Sequence, residues 1–291
     1  MNYKSLTVAF VVLTLMLANT NLYSQGFLGA FESLFNNEIE SNTQISLNYG
    51  VGDFSRTGLT GPVSSLNIYG GTIGIGTKLI KGKVGNSFLG LYAKSVTTNG
   101  EPNSSGTYKD VGLGETTSLT YSSYGFENWG GTGYSLGNNT GVILSTGSSW
   151  GWSKISPKSY ASTDTNNWQS IADFPGDVRW TRSWSPGIEI TTDYNVGIRL
   201  GYSWTQMFPR FMTWYEIGSW LVQTTSEIAL VYVKREIIEE DNKYYPVVHF
   251  LLTNGLQYLL YNLKTDNVSW PFDTAPPLNI KSWNISVNYA F

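Results

Sequence analysis

From Gly187 to Thr205 the chain reads GIEITTDYNVGIRLGYSWT, and its even positions form one series: Ile188, Ile190, Thr192, Tyr194, Val196, Ile198, Leu200, Tyr202 and Trp204. Between them stand Gly187, Glu189, Thr191, Asp193, Asn195, Gly197, Arg199, Gly201, Ser203 and Thr205. A period of two puts one series on each face of a β-strand and is incompatible with a helix, whose faces repeat every 3.6 residues. At about 3.3 Å per residue the run would extend past roughly 50 Å, longer than one strand needs, so a turn is expected near residues 192–195 and the segment reads as a hairpin.

Weaker copies of the pattern precede it: Ile45, Leu47, Tyr49 and Val51; Ile73, Ile75, Thr77 and Leu79; Leu89, Leu91 and Ala93; Leu119 and Tyr121; Val142 and Leu144. Each is short and bounded by Gly, Asn, Ser or Asp, the residues that tolerate turn conformations. The apolar parity flips between Leu66/Ile68 and Ile73/Ile75, and a bulge or tight turn is expected at Gly70-Gly71. A phosphate-binding loop at GGTIGIGTK is excluded, since neither glycine spacing of the known nucleotide motifs is met and no helical pattern follows.

Aromatic residues make up 15% of the chain and charged residues only 13%, with 31 glycines, a composition suited to strands, turns and interfaces. A formal charge of -3 offers no basic surface for nucleic acid. Lys4 followed by Leu6–Ala18 reads as a secretory leader over residues 1–24, cut after Ser24, leaving residues 25–291 as a single domain. The chain has no cysteine, so neither a disulfide nor a lipidated cysteine supports it. After the leader there is no uncharged apolar run of 18 residues; Arg210, Glu216 and Glu227 interrupt the greasiest stretch.

Alternating strands of this kind build either a soluble sandwich, with its apolar faces inside, or a closed barrel whose apolar faces meet lipid. Taking the apolar parity as outward, Lys78, Lys94, Glu189 and Arg199 fall on the opposite, lumen-facing side. The chain then ends in SWNISVNYAF, with Trp283, Ile285, Val287, Tyr289 and Phe291 alternating up to the last residue. Together with the leader and the missing cysteines, this ending resembles the Gram-negative outer-membrane β-barrel superfamily, in which an alternating last strand ending in Phe is the signal read by the assembly machinery. The resemblance implies a mainly β fold: an antiparallel transmembrane β-barrel of about 8–12 strands, located in the cell outer membrane. It also implies outer-membrane lipids and the barrel-assembly machinery as partners.

Helical spacing of Phe211, Tyr215, Gly218, Leu221 or Val222, Thr225 and Ile228, and the apolar run from Pro246, predict a helical interruption over about 208–266, before the last strand. A β-hairpin of EIALVYV and VVHFLL competes, because both parities of each are apolar. The helical pair is expected at the periplasmic end or inside the barrel, Pro246 is placed to open its second helix, and a short amphipathic helix is expected over 27–37. Trp129, Trp150, Trp152, Trp168, Trp180 and Trp184 lie in a stretch rich in Gly, Ser and Asn. They read as an interfacial aromatic belt or, alternatively, as stacking platforms for a glycan or other small ligand.

The single histidine, His249, sits in an apolar run without a nearby serine motif, so no catalytic residues, cofactor or metal site is assigned. The acidic residues Glu236, Glu239, Glu240 and Asp241 read as a solvated connection. The function expected is that of a non-enzymatic channel, transport or envelope-assembly component, with a small solute as possible cargo. The alternatives are a lipid- or glycan-modifying barrel enzyme and a secreted carbohydrate-binding β protein.

Overall fold

The computed structural model describes residues 41–58, 65–79, 84–98, 118–137, 140–159, 173–192, 195–239 and 242–291. The expected leader, the helix expected over 27–37 and Trp168 lie outside them. The order is β1 (Ser41–Ser55), β2 (Leu66–Leu79), β3 (Val84–Thr98), β4 (Ser118–Gly137), β5 (Thr140–Ser159), β6 (Val178–Thr191), β7 (Val196–Met207), α1 (Thr213–Ile237), α2 (Tyr245–Leu263) and β8 (Leu278–Ala290).

Eight strands pair antiparallel in chain order, and β8 returns to β1 through a register that sets Leu47 opposite Val287. Closure removes the free edges that a sandwich would leave. From Asn48 the pairing runs through Gly70 and Lys94 to Ser123 on β4. In the other direction it runs through Ser286, Arg199, Glu189 and Ile143 to Gly133, so the circuit closes ten residues out of step. A stagger of ten at about 3.3 Å, against eight strand spacings of about 4.8 Å, tilts the strands by about 40° from the axis.

The two ends differ. Residues 80–83, 138–139 and 192–195 make short connections at the end where Phe291 donates its backbone N–H to Thr43. The expected turn between β6 and β7 is present: Thr192 donates to the Val196 carbonyl at 2.9 Å, and Asn195 adopts a left-handed φ of 58°. Residues 56–65, 99–117, 160–177 and 208–277 connect strands at the opposite end.

Three expectations are corrected. No bulge occurs at Gly70-Gly71, because β2 keeps one register with both neighbours. The parity flips for another reason: Leu66 and Ile68 point inward into a buried cluster, while Ile73 and Ile75 point outward. Tyr121, placed with the apolar series of β4, also faces inward, in that same cluster. The helical pair is neither inside the barrel nor at the short-turn end. It leaves β7 at the long-connection end and packs on the outer wall, where Trp184 and Trp204, on the outward parity of β6 and β7, meet Tyr261 of α2. Both segments are helical rather than a β-hairpin, and Pro246 occupies the first turn of α2.

Candidate functional site

The lumen is built in two levels. At the long-connection end, Phe54, Leu66, Ile68, Val96, Tyr121, Ile155, Met207, Leu278 and Ile280 turn inward from seven of the eight strands, and Phe174 joins them from the β5–β6 connection. Leu66, Val96, Phe174, Met207 and Leu278 are wholly inaccessible to solvent. An eight-stranded barrel is only wide enough for side chains to fill, so this ring of apolar groups is a collar across the bore. Arg56 stands over the Phe174 ring at 4.8 Å and pairs with Asp173 at 3.3 Å. Burial lowers its pKa, and the Asp173 hydrogen bond works against that shift.

Below the collar the interior is polar and packed. Lys94 lies 3.7 Å from Glu127, and the Tyr92 hydroxyl is 3.1 Å from that of Ser123. Arg199 donates to the Ser145 hydroxyl at 3.1 Å and to the Ser185 carbonyl at 2.5 Å, with its guanidinium 5.7 Å from the Trp129 ring. Trp129 itself stacks on Phe88 at 5.3 Å. Glu189 accepts from Asn86 at 2.9 Å. The space for these groups depends on glycine: a Cβ on Gly151 would strike the Tyr124 carbonyl and the Tyr92 hydroxyl. Toward the short-turn end a cavity of about 40 Å³ remains, lined by Asn42, Gln44, Asn86, Trp129, Glu189 and Thr191, among others. That is room for about three waters.

Of the four charges expected in the lumen, Lys94, Glu189 and Arg199 therefore point inward and are engaged there. Lys78 lies on β2 with its side chain outside the described residues. The described tryptophans do not converge. Trp129 is an inward packing group. Trp152 stands on the outer wall, stacked on Tyr124 at 5.9 Å and edge-on to Trp180 at 5.4 Å, and Phe211 extends the strip at 5.5 Å. Trp150 is exposed on the outer wall, and Trp184 is covered by α2. His249, on α2, packs against the Tyr245 ring at 5.4 Å. Among the described residues no group of three or more His, Cys, Asp or Glu side chains is disposed to hold a metal.

A second polar cluster, invisible to sequence reasoning, roots the hairpin on the wall. Arg182, on the outward parity of β6, donates to the Val268 carbonyl at 2.7 Å and lies 3.5 Å from Glu216 of α1. Ser269 donates to the other Glu216 oxygen at 2.5 Å. Gln206 of β7 donates to the Lys264 carbonyl and to Asn279, each at 3.1 Å. Lys264, fully buried, donates to Gln223 at 3.0 Å. Arg182 and Glu216 are 34 residues apart in the chain, and only the fold joins them.

The exterior carries Ile45, Leu47, Tyr49 and Val51 on β1, Ile188 and Ile190 on β6, Ile198 and Leu200 on β7, and the ending residues Trp283, Ile285, Val287, Tyr289 and Phe291, all exposed. No described helix is long and apolar enough to cross a membrane, which leaves crossing by strands open. No family model and no curated protein matches the chain. Among solved structures, that of Neisserial surface protein A is similar at a TM-score of 0.41 and 8% identity, over 87% of this chain and 99% of that one.

Proposed function

We propose that this chain is a bacterial outer-membrane β-barrel protein that serves as a closed, non-enzymatic envelope component. The observation carrying the reading is the inversion of the barrel: a belt of exposed Ile, Leu, Val and aromatic side chains outside, ion pairs and serine hydroxyls inside. Water outside would leave that belt unsatisfied, whereas acyl chains cover it. In this setting the short turns face the periplasm and the long connections the exterior. The partners are outer-membrane lipids and the assembly machinery, which would read Trp283, Ile285, Val287, Tyr289 and Phe291 on β8.

Of the non-enzymatic roles, passage of a solute is the least favoured, because the collar fills the bore with buried side chains, five of them wholly inaccessible to solvent. The expected results are membrane fractionation, slower or faster gel migration of unboiled than boiled protein, and no conductance above bare lipid in planar bilayers. Stepwise current from the folded protein would reverse that preference and make Lys94, Glu189 and Arg199 the groups to test for selectivity. A glycan platform is not favoured, since the described tryptophans are divided between the lumen, the open wall and the underside of α2.

A further inference from the structure

Apart from Leu260 and Tyr261, which pack toward the wall, the α1–α2 hairpin buries polar side chains and exposes large apolar ones. Its buried groups include Ser219, Glu227, Thr253, Asn254 and Gln257, with Lys264 directly after α2. Glu227 is 6% exposed and Lys264 0%, whereas Trp214 is 77%, Tyr232 65%, Leu251 61% and Leu259 58% exposed. A helix pair resting on a protein surface in water shows the reverse, an apolar stripe inward and charges outward. From Tyr245 to Leu263, α2 contains no Asp, Glu, Lys or Arg at all. The charges of α1 either turn inward, as Glu216 does to Arg182, or gather at its far end beside Glu236, Glu239 and Lys243.

The wall beneath α2 is altered to match. Along β4 and β5 the outward series runs from Phe126 and Trp150 into Asn128, Gly130, Thr132, Thr146 and Ser148, small and polar groups that interrupt the apolar belt. Asn128 and Ser148 are opposite one another and hydrogen-bonded. Helix α2 lies against these two strands and, through Tyr258 and Tyr261, against Trp204 and Trp184 of β7 and β6.

We infer that the α1–α2 hairpin is a membrane-embedded flank of the barrel: it seals the polar stretch of wall on β4–β5 and presents Tyr232, Leu251 and Leu259 to acyl chains in its place. The occupant of that exposed face is lipid, because α2 rests through Tyr261 on Trp184 and Trp204, on the same outward parity of β6 and β7 that carries Ile188, Ile198 and Leu200, and like that belt it carries no charge. Several of the hairpin's buried polar groups are partnered within it or by the wall, Lys264 by Gln223, Lys234 by Thr253 and Glu216 by Arg182, whereas Ser219 Oγ and Asn254 Oδ1 are buried without a hydrogen-bond partner. The inference rests on the membrane reading above.

The absence of native cysteine permits a direct test. Single cysteines at Tyr232, Leu251 and Leu259, at the belt positions Ile198 and Val287, and at Asn242 in the hairpin tip are spin-labelled and refolded into phosphatidylcholine vesicles. Only variants with wild-type gel mobility shifts are read. Oxygen broadening without nickel-chelate broadening at Tyr232, Leu251 and Leu259, matching Ile198 and Val287 and opposite to Asn242, is the expected result. Nickel broadening at the three hairpin positions with none at the two belt positions overturns the inference and leaves the barrel in lipid. Nickel broadening at the belt as well overturns the membrane reading, and the inference with it.

Discussion

Leu200→Arg probes the reading of the outer wall most directly. Leu200 is exposed on β7, flanked by Ile188 of β6 and Ile285 of β8. It stands four residues from the β7 start at Val196, so at about 3.3 Å per residue and a tilt of about 40° it lies roughly 10 Å above the short-turn end. In an apolar band about 25 Å tall, that is close to the midplane, where an arginine costs about 2–4 kcal/mol. The folded-to-unfolded ratio should then fall by about 1.5 to 3 powers of ten. Leu136, near the end of β4, is equally exposed but sits at the rim, and Leu136→Arg should cost about 0–1 kcal/mol. Urea titrations of vesicle-reconstituted protein, followed by tryptophan fluorescence and by gel mobility, measure both. If Leu200→Arg shifts stability by no more than about 0.5 kcal/mol, the ordinary effect of a substitution in water, the wall is not in lipid and the reasoning fails.

Four further outcomes follow from the interior and from the hairpin root. Arg199→Met removes the cation beside Glu127 and Glu189 and should cost about 3–5 kcal/mol, and Glu189→Gln in the same chain should restore part of it; urea titration reads both. Gly151→Ala drives a methyl into the Tyr124 carbonyl and the Tyr92 hydroxyl, and overpacking of this kind should cost about 1–3 kcal/mol in the same assay. Phe174→Ala opens a void in the collar and should destabilise by about 3–5 kcal/mol; added bilayer conductance in this variant alone would identify the collar as the seal. Arg182→Gln leaves Glu216 without its cation, and limited proteolysis should then cut within 239–244, at the hairpin tip, faster than in the parent chain while the barrel fragment persists.

The alternation of Ile188 to Trp204 and of Trp283 to Phe291 was enough to establish β-strands with one apolar face, because side-chain direction in a strand depends only on the count along the chain. The same count put Lys94, Glu189 and Arg199 on the face opposite the belt, and helical spacing placed two helices before the last strand. The collar was legible only in part. Phe54, Ile68 and Ile280 sit on the parity opposite to Val51, Ile73 and Trp283 of their own strands, and these flips occur toward one end of the barrel in each case. Read one strand at a time, such a flip resembles a bulge; only the register across strands brings the flipped residues into one ring. The site of the helical pair was not legible at all. A helix with polar residues on one face and apolar residues on the other has the same pattern whether water or lipid lies outside. Which face of the pair meets the barrel was decided by Trp184, Trp204, Arg182 and Gln206 on the wall, a property of tertiary packing that no local count contains.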